Sequence, residues 1–402
     1  MAIRSAVAVV AIVCLLAGTP IVGVTADFDF LVLVDSATKI PDGTGTFTGF
    51  GGVVAARDKF AFIGFGAGGL QGIYTGGSEG IELVVSTADY VSAVGGRLTE
   101  FQDLAFDGDT LAFAANWVDT DGSNRAGVFT RLHNEIAIVA DDRTVPPEST
   151  GNKTFTNIFT PISAENGRVA FHGRDQNTLT SGVYLYEDGA LHLVANGTTV
   201  IPSSNQTFAQ PGDSIEFDED RLFFADNGNL NIRNGGNGIY VYEHGVIRPL
   251  VTSATPYPVP IPFPPPDSNI TTFGGFQSIA ARGDRLVFSD EFPITGVYSV
   301  RGTEVDLLVR AAAFAGFGDF VHVDPVSLGN TFLAFSGDPS PASGLVGGFY
   351  WYDFQSGALE LVAANLLDTS TSGLSSASTT GHALVIKANV GGRPAIVRIF
   401  RR

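Results

Sequence analysis

Apolar and polar positions alternate along this chain in short runs separated by Gly, Asn and Asp, the sequence form of consecutive β-hairpins. One run keeps returning. It reads KFAFIG from Lys59, TLAFAA from Thr110, GRVAFHG from Gly167, RLFFAD from Arg221, RLVFSD from Arg285, FLAFSG from Phe332 and ALVIKA from Ala383. Around each copy lie three further strand signals. A preceding run such as NIFTPIS, from Asn157, enters a tight turn. A following run carries Gly-apolar-aromatic at Gly72, Gly127, Gly182, Gly238, Gly296 and Gly348. A fourth run reads IELVV, IAIVA, LHLVA, IRPLV, VDLLV or LELVA. A four-stranded unit repeating every ~40–50 residues is the signature of a β-propeller blade.

Six copies are complete. The seventh, from Ser372 to Arg402, holds three strand signals and then the chain stops. Its missing fourth strand is at the other terminus: FLVLVDSATKIP, residues 30–41, parallels LHLVANGTTVIP, residues 191–202. The pattern therefore predicts an all-β fold, a seven-bladed β-propeller of four-stranded antiparallel blades whose last blade is closed by the N-terminal strand, which removes a free sheet edge. A ring of six blades is the alternative. The recurring aromatic at Phe62, Phe113, Phe171, Phe224, Phe288 and Phe335, with Ile386 in the last copy, is expected to pack between blades.

Asn166-Gly167-Arg168-Val169-Ala170-Phe171, followed by the Gly-Val-Tyr of the third strand, resembles the repeat of secreted bacterial tandem-repeat proteins named for an NxxGxxAF motif. The blades are also similar to those of TolB-type propellers. The resemblance covers nearly all of the chain after its N-terminal segment and implies the fold. It brings no catalytic residues, and propellers host many unrelated activities.

Composition adds a compartment. Residues 1–26 have one cation, Arg4, then an apolar stretch, then Val24-Thr25-Ala26, which reads as a signal peptide cleaved before Asp27; residues 27–402 are then a single propeller domain. Cleavage would remove Cys14, the only cysteine, and with it thiol catalysis, thiolate metal sites and disulfides. No second segment is long and apolar enough to span a bilayer. The formal charge of −18 becomes −19 without Arg4, which disfavours nucleic acid and anionic lipid as partners. The expected localisation is secreted or extracellular, meaning periplasm or cell surface in a bacterium.

Candidate chemistry lies where long loops gather, on the face carrying the connections between strands two and three and between blades. Counting back from the repeated Phe places Gln102, Asp103, Asp213, Gln277 and Asp324 on innermost strands near that rim, with Glu216 one step deeper. Such a ring would hold calcium or a sugar's hydroxyls, or serve only as turn caps and solvated acids. Asp119, Asp121 and Asn124 form DTDGSN, half of a calcium loop without its bidentate Glu; turn chemistry is the alternative. Asn152, Asn196, Asn205 and Asn269 are N-glycosylation acceptors. The segment SATPYPVPIPFPPPD, residues 253–267, reads as a stiff polyproline crossing. Arg282-Gly283-Asp284 is a turn rather than an adhesion motif, and His172 and His322 have no catalytic partners legible in the sequence. The expectation is a non-catalytic propeller binding an extracellular protein, glycan or matrix. An extracellular carbohydrate-active lyase or hydrolase and a structural surface or coat protein are the alternatives.

Overall fold

The computed structural model describes residues 28–402 except 133–134, 151–152, 176–180, 203, 229–236, 259–272, 291–295, 311–319, 340–346, 365–376 and 380. Its strands form seven four-stranded antiparallel sheets. From the channel outward, blade 1 is β2 (Gly49–Ala56), β3 (Lys59–Phe65), β4 (Gln71–Gly77) and β5 (Gly80–Ser86). Blade 2 is β6 (Leu98–Phe106), β7 (Leu111–Val118), β8 (Asn124–Leu132) and β9 (Glu135–Asp141). Blade 3 is β10 (Phe155–Glu165), β11 (Arg168–Asp175), β12 (Ser181–Glu187) and β13 (Ala190–Asn196). Blade 4 is β14 (Pro211–Asp218), β15 (Arg221–Asp226), β16 (Gly238–Glu243) and β17 (Val246–Thr252). Blade 5 is β18 (Phe276–Arg282), β19 (Arg285–Asp290), β20 (Gly296–Arg301) and β21 (Glu304–Arg310). Blade 6 is β22 (Phe320–Leu328), β23 (Phe332–Pro339), β24 (Gly348–Asp353) and β25 (Leu359–Ala364).

The seventh blade is completed from the far end of the chain, as the sequence predicts. It runs β26 (Ala377–Thr379), β27 (Ala383–Val390), β28 (Arg393–Arg401) and then β1 (Phe28–Asp35). β1 lies antiparallel on β28, with Phe30 opposite Ile399 and Val32 opposite Val397. The ring closes because innermost strand β26 touches both β22 and β2.

The core is not one mass but seven clusters, one for each pair of neighbouring blades. Side chains alternate across a strand, so each sheet offers one face to the blade before it and the other to the blade after. Phe171 packs with Ala112 and Val128 of blade 2, while Ala170 and Val183 join Phe224 and Tyr240 of blade 4. Phe62 lies in the cluster that holds Val34, Val385 and Ile396 of blade 7. The repeated Phe therefore fills the space between blades, and all six are fully buried.

Each of these rings stacks on the aromatic directly opposite it on the third strand. The pairs are Phe62–Tyr74, Phe113–Phe129, Phe171–Tyr184, Phe224–Tyr240, Phe288–Tyr298 and Phe335–Tyr350. Their centroids are 5.3 to 5.6 Å apart. Offset stacking at this distance adds to the area each ring buries. In four blades a further Phe approaches the Tyr edge-on, at 4.8 Å for Phe155–Tyr184 and 5.0 Å for Phe47–Tyr74. The glycine two residues before the aromatic has a steric cause. A Cβ on Gly182 would stand 3.0 Å from the Tyr184 ring and 3.2 Å from the Ala195 carbonyl oxygen. The Asn-Gly of the NxxGxxAF-like motif has a different cause. Asn166 and Gly167 have φ of 52° and 81°, the two positive values of a tight hairpin turn.

Phe171→Ala is expected to cost about 3–5 kcal/mol in urea unfolding, the range for truncating a buried ring. Tyr184→Phe keeps the stack and loses the hydroxyl's bond to Glu148 Oε1, 2.6 Å. It is expected to cost about 0.5–1.5 kcal/mol in the same measurement.

Candidate functional site

The channel opens into a cavity of about 870 Å³ at the end where strands one and two turn into each other. Its wall is the second half of innermost strands β2, β6, β10, β14, β18 and β22 with the turns that follow them. Glu165, Glu216 and Asp218 stand on one side, and Arg57, Arg282 and Asn330 share the lining. Burial, with Asp218 and Glu165 nearby, pushes the Glu216 carboxyl up to about 8, against the pull of Arg282. Burial raises Glu165 to about 7, with Asp218 and Asp107 adding to it and Arg168 opposing. Near neutral pH this mouth therefore holds carboxyls that carry protons and can donate hydrogen bonds as well as accept them.

The mouth is framed by bonds from each hairpin turn to the next. The Lys59 ammonium donates to Gly108 O at 2.9 Å, joining blade 1 to blade 2. Asp107 accepts from its own turn at Asp109 N and Thr110 N, and from Asn166 N of blade 3 at 2.6 Å. Arg168 donates to Glu219 O of blade 4, and Arg221 to Gly283 O of blade 5. Arg282 Nε donates to Asn330 Oδ1 at 2.6 Å, and Asn330 N to Gly381 O at 2.8 Å, which brings in blades 6 and 7. Arg398 donates to Asp58 O at 3.1 Å and completes the circuit back to blade 1. Lys59, Arg168 and Arg221 each head the second strand of their blade. Arg285, at the same position in blade 5, instead lies over the Phe354 ring of blade 6.

Of the five residues expected to ring the channel whose side chains the structure describes, only Glu216 lines this cavity. Gln102 and Asp213 are exposed and Gln277 is half-buried, on the part of the innermost strands nearer the loop face. Asp103 is committed between blades: it accepts from Leu104 N at 2.9 Å and from Ile162 N of blade 3 at 3.4 Å. Burial raises it to about 6. Asp324 lies on β22, where the structure describes the backbone but not this side chain. A register break precedes the central apolar residue of all six long innermost strands, as between Phe101 and Asp103 or Pro211 and Ile215. The break bends each strand there, and the residues before it keep the loop-face position that counting back from the Phe gives them.

The acidic loop of blade 2 is occupied by arginines. Asp119 Oδ2 lies 3.0 Å from Arg143 Nη1 and 3.5 Å from Arg125 Nε, and Asp121 Oδ2 lies 3.6 Å from Arg125 Nη2. Asp119 and Asp121 also cap Thr120 N and Ser123 N, and Asn124 begins β8 opposite Val118. Among the described residues no group of three or more His, Cys, Asp or Glu side chains is arranged to hold a metal ion.

Asn196 is buried, and its amide donates to Glu148 Oε1 at 3.2 Å, so a sugar there would displace that contact. Asn205 is exposed; Asn152, Asn269 and residues 259–267 of the proline-rich segment lie outside the described residues. His172 is buried against Gly212 of the next blade, and burial pushes it down to about 4.

A family model described as a family of unknown function, DUF7453, matches residues 50–259, just over half of the chain. The chain belongs to that family. No curated protein matches the sequence. Among solved structures, the chain is similar to the β-propeller domain of the Trilobed protease from Pyrococcus furiosus. That match has a TM-score of 0.52 at 9% identity and covers 88% of this chain and 96% of that one. That propeller's described topology is open velcro, whereas here β1 closes blade 7. A puromycin-hydrolysing peptidase from Mycobacterium tuberculosis (TM-score 0.46, 13% identity) is covered over 50% of its chain by 87% of this one. The β-propeller domain of Cps50 (Swd1) from Myceliophteria thermophila (0.47, 10%) is covered over 99% by 92%. At such identities the comparisons establish the propeller and nothing of its chemistry. The family match and the neighbours bear out the propeller but not the NxxGxxAF type of repeat.

The raised carboxyls fix the sign of a pH dependence. A carboxyl held at about 8 keeps a proton in the folded state that the unfolded chain has released, so stability falls as pH rises from its ordinary value of 4.5. His172 acts oppositely: stability rises with pH between about 4 and 6.5, and its contribution is complete above that. The melting temperature is therefore expected to fall between about pH 6.5 and 8.5. Glu216→Gln should flatten that fall, which differential scanning calorimetry of both proteins across the interval would show.

Proposed function

We propose that this DUF7453 member is a secreted, non-catalytic propeller that binds an extracellular partner through the turn-end mouth of its channel. The observation that carries the reading is the cavity of about 870 Å³ whose wall mixes the proton-bearing carboxyls of Glu165 and Glu216 with Asp218, Arg57 and Arg282. Carboxyls that both donate and accept, beside guanidinium donors, suit a ligand rich in hydroxyl groups, such as a glycan end. The hairpin-to-hairpin bonds hold this wall in place before a ligand arrives, which lowers the ordering cost of binding. Secretion rests on residues 1–26 and is read out by expressing the full chain and sequencing the exported product, with Asp27 expected first. The domain then runs from residue 27 to 402.

A carbohydrate hydrolase is the second reading, favoured by two carboxyls raised toward neutrality near the acidic Asp218, an arrangement that serves general acid catalysis. Calorimetric titration with neutral oligosaccharides, and turnover of chromogenic glycosides, separate the two. The binding reading expects a complex that Glu216→Gln weakens about tenfold or more, with no turnover. Turnover abolished by Glu165→Gln or Glu216→Gln supports the hydrolase instead. Affinity unchanged in both variants removes the mouth as the site.

A further inference from the structure

The outermost strand of a blade leaves one row of N–H and C=O groups without a partner, and proteins guard such edges with charge or proline. Here the guards can be compared at one position, the residue opposite the one that follows the third-strand aromatic. In blades 1 to 6 it is Glu82, Ala137, His192, Arg248, Asp306 and Glu360. Five are polar, and β17 adds Pro249 next to its arginine, which removes a donor from the edge. In blade 7 the position opposite Arg398 is Leu31. Leu31 is 50% exposed and its neighbour Val32 43%, and they point to opposite faces of the sheet. Among the described residues β1 is hydrogen-bonded on one side only, to β28.

We infer that this edge is an interface, and that β1 pairs antiparallel with β1 of a second copy across a two-fold axis normal to the sheet, which sets Leu31 opposite Leu31 of the other copy. A strand with apolar side chains on both faces is matched by a partner strand with the same property, and a two-fold supplies it from the chain itself. Charge points the same way. Two molecules of net charge −18 repel across most of their surfaces. Residues 30–34 carry no charge, Asp29 is paired with Arg402 at 2.7 Å, and Asp35 is engaged by Ala37 N and the Thr38 hydroxyl. Two copies can therefore meet along β1 without bringing unpaired acids together. The pairing would join the two seventh blades into one continuous eight-stranded sheet. It is independent of the channel mouth.

The test is sedimentation equilibrium of the chain from Asp27 over a wide concentration range. A monomer–dimer equilibrium is expected, weakened about tenfold or more by Leu31→Lys with Val32→Lys and unchanged by His192→Lys on β13. Val32→Thr, a β-branched replacement suited to a strand, gives a milder version should the lysines disturb folding. That chain has no cysteine, so Leu31→Cys is expected to form a disulfide-linked dimer on mild oxidation, whereas His192→Cys is not. A monomer at every concentration overturns the inference, whether the edge is bare or covered by another partner. So does a dimer whose affinity ignores the β1 variants.

Discussion

Seven flat-sided sheets can close into a ring only if the wedge between each pair is filled, and in six of the seven blades the filling is one pair of stacked rings. The second-strand Phe and third-strand aromatic sit opposite each other in the ladder, so sheet register and interface packing are set by the same two residues. Other features follow from giving those rings room. The third strand carries glycine two residues earlier, because a methyl group there meets the ring or the next strand's carbonyl. The third and fourth strands break register at the aromatic in every one of these six blades. Blade 7 has Ile386 opposite Val397 instead of rings, and its face toward blade 6 is filled by Trp351, stacked on Phe332 and met edge-on by Phe28 of β1.

The blade repeat was legible because it depends on local alternation and on residues whose bulk recurs at one position. Phe171 and Gly182 announce their roles by returning in other copies. The N-terminal strand was legible for the same reason, since FLVLVDSAT repeats a fourth strand and its turn. The site was much less so. Counting back from the repeated Phe put Gln102 and Asp213 toward the loop face, where the structure has them, but Glu216 lines the cavity at the opposite end of the channel. Asp119 and Asp121 look available for a cation until Arg125 and Arg143 are seen to reach them. The bonds between hairpin turns were missed although their signal was present. Lys59, Arg168, Arg221 and Arg285 share a repeat position, yet their partners lie 49 to 69 residues onward in the next blade. Pattern within one blade says nothing of a partner that far along the chain.

The two ends of the ring are built on different terms. The turn end is short-looped and cross-bonded from each blade to the next, and it surrounds the carboxyls whose protons are held by burial. The loop end carries the long connections and the exposed acids of the innermost strands. Stiffness is thus concentrated at one mouth of the channel, while sequence variation is free to collect at the other.

β1 is separated from its partner β28 by the whole length of the propeller, and that separation orders events during synthesis. The first strand made is the last strand placed. Until β28 is made, β1 has no strand to pair with, and every residue added lengthens the loop to be closed. Export of an unfolded chain would postpone the whole reaction until both termini are present together. Closure would then be a single late step, and strand exchange between molecules its natural competitor.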